Sequence, residues 1–322
     1  MDNLYFNIRK NINACFIYDS LLDAVNYIAG RRPLRRSATN IDPSPFFIVG
    51  SGRSGNTLLR AILTGHSNIA IPPESYVLGK VVRRFKAYSF LGWKILLRIV
   101  LSEFEYHRQF STWDISLRSV YHEGCKISKK ERGLAHILDL IYRKYIDKHM
   151  PSAVRWGDKT PVNTFHLDWI DRVFPKAKYV HMVRDGRDVV SSYLRSEIYS
   201  NSEEAADRWK KSIEMAKKFE KKRENRFLKV RYEELVRFPN KEVRRICDFL
   251  DVEFKKDMLK FKDNIEKLGD THLPHHRGLK RPINTDSIGK WKERLTDDQK
   301  DIIRGRIKET LSDIGYTKSR EW

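Results

Sequence analysis

Three observations predict an α/β fold with a mostly parallel sheet flanked by helices. A continuous apolar run, Phe46-Phe47-Ile48-Val49, closes on Gly50, as a strand buried on both faces does. After the turn Ser51-Gly52-Arg53-Ser54-Gly55-Asn56-Thr57, apolar residues recur at helical spacing from Leu58. Farther on, strand-like runs at 178–184 and 227–232 alternate with helical patterns at 189–195, 202–223 and 240–250. Such alternation lays strands side by side in parallel with helices as crossovers.

The first strand, its turn and its helix make an anion cradle, because glycines let backbone amides approach a phosphate and a helix N-terminus adds positive potential. Gly50, Gly55 and Thr57 fit the P-loop pattern of Gly, four residues, Gly, Lys, then Ser or Thr. Asn56 stands where that pattern has lysine, and the cation has moved into the loop at Arg53. The predicted core is therefore P-loop-like, with a bare glycine turn before a helix as the plain alternative.

The remaining elements follow in order. The region 1–41 reads as an N-terminal helical arm and a basic linker, with Pro43 and Pro45 before the first strand. A short strand is predicted at 69–71, ahead of Pro72-Pro73-Glu74. Residues 77–121 are helical, basic and aromatic, and read as a wall or lid over the sheet. A helix is predicted at 134–145. A strand at 154–157 is expected to end in the loop Asp158-Lys159-Thr160-Pro161, where Asp158 either orients Lys159 or caps the next helix. Residues 165–174 read as a helix stopped by Pro175, and a last helix is predicted near 297–311 after Gly289-Lys290-Trp291.

Lys and Arg number 63 against 42 Asp and Glu, a formal net charge of +21 that favours an anionic partner. Solvated helix faces such as 210–222 carry much of that excess. The three cysteines, Cys15, Cys125 and Cys247, have neither zinc nor disulfide spacing and are expected to be reduced thiols. His66, His149 and His181 show no metal-ligand spacing, and no metal is expected. No signal peptide is evident, and 90–101, interrupted by Lys94 and Arg98, is too charged to span a bilayer. The expected location is cytoplasmic, with peripheral membrane contact through that amphipathic stretch as a possibility and no nucleic-acid partner.

A second anion site is predicted from Arg184 at the end of its strand and Ser192 on the helix that follows. Open α/β sheets bind ligands at the carboxyl edge of their strands. Two phosphate sites at one edge, without a phosphate-loop lysine, suit a nucleotide phosphorylated at both 5′ and 3′ positions.

Those residues carry a resemblance to the PAPS-dependent sulfotransferases (PAPS is 3′-phosphoadenosine 5′-phosphosulfate). Within that superfamily the chain is most similar to the tyrosylprotein sulfotransferases and their soluble bacterial relatives, from about residue 46 to 291. Arg53-Ser54-Gly55-Asn56-Thr57 resembles the family's Arg-Ser-Gly-Thr-Thr loop for the 5′-phosphosulfate. Met182-Val183-Arg184-Asp185-Gly186-Arg187 resembles its 3′-phosphate strand, with Ser192 at the family's serine. Tyr232-Glu233 matches a nucleotide-contacting segment and Lys290-Trp291 a late lysine near the 3′-phosphate. The resemblance implies that Arg53, Ser54, Gly55, Asn56, Thr57, Arg184, Ser192, Tyr232 and Lys290 bind PAPS. It implies Glu74 as general base and Lys159, with Arg53, as the cations that stabilise transferring charge. Read without the family, Glu74 is also a plain helix-start acid after two prolines. His275 stands where the animal tyrosylprotein enzymes have a transition-state serine, and is either a catalytic donor or a loop residue. The cysteines and membrane anchor of the Golgi enzymes have no counterpart here.

The expected organisation is thus a single sulfotransferase domain over 42–322 with a helical acceptor-side insertion around 77–121. The expected acceptor is a hydroxyl on a carbohydrate or glycolipid, with peptide tyrosine second. A P-loop small-molecule kinase and a non-catalytic polyanion-binding protein are the rival readings; Asn56 argues against the first, and a two-phosphate geometry with Glu74 against the second.

Overall fold

The computed structural model describes residues 21, 32–36, 40–269 and 282–317. Five strands form one parallel sheet: β1 (Phe46–Gly50), β2 (Ile69–Ala70), β3 (Arg155–Lys159), β4 (Lys178–Val183) and β5 (Phe227–Arg231). Their order is β2-β3-β1-β4-β5, so the first strand lies in the middle. Its alternate residues divide the core. Phe47 and Val49 face one apolar layer, while Phe46 and Ile48 face the other. Every residue of β1 is buried, as the unbroken apolar run requires.

On the Phe46 side pack α1 (Asn56–Thr64) and α10 (Pro239–Leu250). On the Phe47 side lie α2 (Leu78–Ala87), α3 (Trp93–Glu105), α4 (Arg118–Lys126), α5 (Leu134–His149) and α6 (Leu167–Val173). A third apolar cluster joins α7 (Gly186–Arg195), α8 (Ser202–Glu220) and α12 (Asp297–Asp313). The short α9 (Tyr232–Arg237) and α11 (Trp291–Arg294) follow β5 and precede α12. Trp209, Ile213, Ala216 and Phe219, the predicted apolar side of α8, are all buried.

Three boundaries beside the site differ from the sequence reading. β3 runs on through Asp158 and Lys159, which therefore sit on the strand's end and not in a loop. Asp158 can be buried there because Tyr142 donates to Oδ2 at 2.6 Å and Asn163 to Oδ1 at 2.7 Å. The helix after β4 begins at Gly186, three residues early, because the Asp185 carboxylate caps it by accepting from the Arg187 amide. Tyr232 opens α9 instead of closing β5.

The helical region 77–121 exists as predicted, but its aromatics divide. Phe85, Trp93, Phe104 and Trp113 are core residues, and only Tyr88, Phe90 and Tyr106 of the predicted wall are exposed. Amphipathic helices turn their apolar face inward, and most of the aromatic signal belonged to that face. Among the described residues no helix is long and apolar enough to cross a membrane. The arm at 1–41 falls largely outside the described residues, as does Cys15; Cys125 and Cys247 are free thiols.

His181, in the middle of β4, is buried with neither ring nitrogen partnered. Burial, and after it the charge of Lys229 on the adjacent strand, push its pKa down to about 3. The unfolded chain takes up a proton near pH 6.5 that the folded chain refuses until about pH 3. Stability is therefore full above pH 6.5 and falls as pH drops through that window, at about 1.4 kcal/mol per unit. Urea unfolding at pH 7 and pH 5 is expected to differ by about 2 kcal/mol more for the wild type than for His181→Phe. Equal pH dependence in the two proteins removes His181 as the source.

Candidate active site

The carboxyl ends of all five strands supply the predicted site. After β1 comes the loop with Arg53; after β2, Glu74; at the end of β3, Lys159; after β4, Arg184; after β5, Tyr232. Parallel strands put these ends on one edge, and β1 at the centre makes its loop the hub.

The hub is closed by its own residues. Gly50 has φ 136, and a side chain there would strike the Met182 carbonyl. Thr164 clasps the same residue, accepting from the Gly50 amide at 2.8 Å and donating to its carbonyl at 3.1 Å. Asn56 Nδ2 donates to the Ser51 carbonyl at 2.8 Å, so the residue in the lysine position fastens the loop. Gly55, with φ 92, caps α1, and a Cβ on it would lie 2.5 Å from the Tyr232 ring. That contact packs Tyr232 directly against the cradle.

Two cations converge here. Arg53 Nε donates to Ser192 Oγ at 3.0 Å. Arg184 donates through one terminal nitrogen to the Arg53 carbonyl at 3.0 Å and through the other to the Ser287 carbonyl at 2.5 Å. Its guanidinium lies 4.6 Å from the centre of the Tyr232 ring. Burial, followed by the Arg184 charge, pushes the Arg53 pKa below its ordinary value. Like charges held together in a partly buried site favour an anion. Arg184 Nε and Ser54 Oγ are buried and have no partner among the described residues. Buried donors of that kind are costly unless something accepts from them. Ser192, predicted as a phosphate ligand, accepts from Arg53 and so links the two predicted anion sites.

Glu74 and Lys159 meet. The Lys159 ammonium, fully buried, pairs with Glu74 Oε1 and lies 3.3 Å from Thr57 Oγ1. Glu74 keeps a side-chain exposure of 13%, enough to face a ligand. Asp158 does not orient Lys159. It anchors the Tyr142 and Asn163 side chains, and burial pushes its pKa up while hydrogen bonds from Tyr142, Ser75 and Thr160 pull it back. Ser75 accordingly binds Thr160, its amide 3.0 Å from Oγ1, which fixes the Glu74 segment to the end of β3.

Lys290 lies on a loop that Asp188 holds, accepting from the Gly289 amide at 2.8 Å and the Trp291 amide at 2.9 Å. Its ammonium pairs with Glu293 at 3.1 Å and stays partly exposed, so the structure brings the loop, and not yet the charge, to the site. His275 lies outside the described residues. Sequence reasoning missed Thr164, Asp188 and Ser75, whose roles are hydrogen bonds between segments far apart in the chain. Among the described residues no cluster of three His, Cys, Asp or Glu side chains is placed to hold a metal ion.

Comparison with known proteins finds sulfotransferases. Protein-tyrosine sulfotransferase A of Caenorhabditis elegans is 27% identical over 266 residues, covering 79% of this chain and 63% of that protein. Protein-tyrosine sulfotransferase 1 of Danio rerio is 26% identical over 288 residues, covering 86% of this chain and 73% of that one. The solved sulfotransferase domain of the Synechococcus PCC 7002 olefin synthase superposes with a TM-score of 0.59 at 24% identity, over 86% of this chain and 98% of that domain. The model of the sulfotransferase family matches residues 45–256. That match takes in every strand of the sheet and each strand-end segment of the candidate site, and the chain belongs to the sulfotransferase family.

Proposed function

We propose that the chain transfers the sulfuryl group of PAPS to a hydroxyl of a carbohydrate or glycolipid. The observation that carries the donor assignment is the pair of guanidiniums, Arg53 and Arg184, held at one strand edge with unpartnered buried donors beside them. A donor phosphorylated at two positions fits that cradle. Arg53, Ser54 and the Gly55–Thr57 amides would hold its 5′ end; Arg184, Ser192 and Lys290 its 3′-phosphate; and Tyr232 the nucleoside between them.

The bound donor supplies an activated sulfuryl group with the 5′-phosphate as leaving group. The chain's own residues do the rest. Glu74 accepts the acceptor hydroxyl's proton as the new sulfur–oxygen bond forms. Lys159 and Arg53 neutralise charge on the group in transit, by positioning and electrostatics of the kind that dominates phosphoryl transfer. Glu74 and Lys159 already touch, so the base and a charge-stabilising cation sit at the same point of the edge.

Peptide tyrosine is the second acceptor reading, favoured by the likeness to protein-tyrosine sulfotransferases at 26–27% identity. The burial of Phe85, Trp93, Phe104 and Trp113 leaves fewer rings for either acceptor than the sequence promised. Transfer of labelled sulfate to matched panels of oligosaccharides, glycolipids and tyrosine peptides is the test. Labelling of glycans or glycolipids is expected, and labelling of peptides alone overturns the acceptor choice.

The donor assignment has its own prediction. Arg184→Ala is expected to weaken 3′,5′-adenosine bisphosphate by about 10- to 100-fold, the loss of a charge-assisted contact worth roughly 1.5–3 kcal/mol. Ser192→Ala acts in part through Arg53, so its effect should shrink when Arg53 is already alanine. Calorimetry on the single and double variants measures both. Unchanged affinity in Arg184→Ala removes that residue from the site, and preferential stabilisation by ATP with magnesium favours the kinase reading.

A further inference from the structure

Arg184 occupies a two-residue connection, since β4 ends at Val183 and α7 begins at Gly186. A side chain in such a link is only as well placed as the backbone that carries it. Here three backbone groups around Arg184 are held by side chains from elsewhere in the chain. The Arg184 carbonyl accepts from the Trp209 indole at 3.2 Å. The Asp185 amide donates to Glu233 Oε1 at 3.0 Å. The Val183 carbonyl lies 3.3 Å from the Tyr316 hydroxyl. Two of these three holds form one latch, because Tyr316 also donates to Glu233 Oε2 at 2.6 Å.

A local stop signal puts Tyr316 there. Gly315, left-handed at φ 75, turns the chain after α12, and the Tyr316 amide returns to the Leu311 carbonyl at 2.8 Å. Arg231, the last residue of β5, grips that turn. It donates to the Ile314 and Gly315 carbonyls, and its guanidinium lies 4.6 Å from the centre of the Tyr316 ring. Arg187, bidentate to Asp185, donates to the Tyr316 carbonyl at 3.3 Å. Glu233 is buried, and each of its carboxylate oxygens takes one of the donors named above. Burial pushes its pKa up, while the hydrogen bonds from Tyr316 and the Asp185 amide pull it back. A buried carboxylate stripped of such donors is costly, so the pairing resists opening. The adjacent Tyr232 lies against the Arg184 guanidinium, so consecutive residues of α9 hold the head of Arg184 and its backbone.

We propose that Tyr316, acting through Glu233, is a positioning residue of the donor site, fixing the backbone on both sides of Arg184 so that its guanidinium stands ready for the donor's 3′-phosphate. The proposal rests on the donor assignment above and adds the C-terminal turn to it. Glu233 and Tyr316 lie 83 positions apart and meet because the end of α12 returns to the carboxyl ends of β4 and β5. An arginine held in place before the ligand arrives binds it at a smaller ordering cost. The latch lies on the β4–β5 side of the sheet. The loop for the donor's 5′ end follows β1 instead, and is fastened by Thr164 and by its own Asn56. Loss of the latch should therefore weaken the hold on the 3′-phosphate and spare the 5′ end.

The test removes one oxygen from the full chain. Tyr316→Phe keeps the ring against Arg231 and deletes the hydroxyl alone. Calorimetry is expected to show 3′,5′-adenosine bisphosphate binding about fivefold or more weaker than in the wild type. In an Arg184→Ala background the same change should alter affinity by less than about twofold, because the group it positions is gone. Adenosine 5′-monophosphate, which lacks the 3′-phosphate, should bind wild type and Tyr316→Phe within about twofold of each other, whereas a general loosening of the fold weakens both nucleotides. Glu233→Ala removes the other half of the latch and should weaken the bisphosphate at least as much. Thermal denaturation reports whether that variant is folded, and Tyr316→Phe decides the question where it is not. Equal bisphosphate affinity in wild type and Tyr316→Phe, a loss that persists undiminished without Arg184, or an equal loss for the monophosphate overturns the proposal. The Arg184→Ala arm keeps the readings apart. If the wild type does not bind the bisphosphate, or Arg184→Ala binds it equally well, the donor assignment falls and the latch with it. If Arg184→Ala weakens binding and Tyr316→Phe does not, the latch alone falls.

Discussion

Glu74→Gln is expected to lower turnover by about 10²–10⁴-fold while leaving 3′,5′-adenosine bisphosphate affinity close to that of the wild type. The amide keeps the size of the carboxylate and can still accept from the Lys159 ammonium, so the Glu74–Lys159 contact survives as a neutral-acceptor hydrogen bond. What it loses is basicity. An acceptor hydroxyl that cannot hand off its proton must attack as the neutral alcohol, and the penalty falls on kcat. Single-turnover transfer from labelled PAPS, with calorimetry on the same preparation, reads the two effects separately. The expected pattern is a collapsed rate with an intact donor site. Near-normal turnover in Glu74→Gln returns the residue to the role of a helix-start acid that happens to pair with Lys159. A parallel loss of bisphosphate affinity instead points to a collapsed strand edge.

The fold and the strand edge that gathers the candidate residues were legible in the sequence for a specific physical reason. β1 is buried on both faces and therefore carries no polar interruption from Phe46 to Val49, and the glycines after it are demanded by close approaches. Such signals are local and sit within one short window. Arg184 and Tyr232 were legible because each directly follows a strong strand. The helical region was legible in kind, but not in orientation. Its aromatics at helical spacing fit a core face and a ligand face equally, and Trp113, Phe104 and Phe85 went to the core. The partners of the site residues were not legible at all. Ser192 lies 139 positions from Arg53, and Lys159 lies 85 from Glu74. Nothing in a local pattern announces such a hydrogen bond.

Lys159→Met should lower turnover by about 10²–10³-fold, the loss seen when a preorganised donor to developing charge is removed. Methionine preserves the straight chain in a site with no exposed lysine surface, so the change is one of charge and not of volume. It also has a stability consequence. Glu74 then keeps a carboxylate at 13% side-chain exposure with no cation, and stripping one partner from a buried pair costs about 3–5 kcal/mol when burial is complete. The cost here should be somewhat smaller, because Glu74 retains some solvent. Adding Glu74→Gln to Lys159→Met removes the stranded charge, and the double variant is expected to melt above Lys159→Met alone. Its turnover should be little worse than that of the more damaged single variant, since residues that act on one transferring group are not additive. Thermal denaturation and single-turnover rates across the four proteins of this cycle test both statements. If the two losses multiply and the double variant melts lowest, Glu74 and Lys159 act independently, and the reading of them as one catalytic unit at the end of β3 fails.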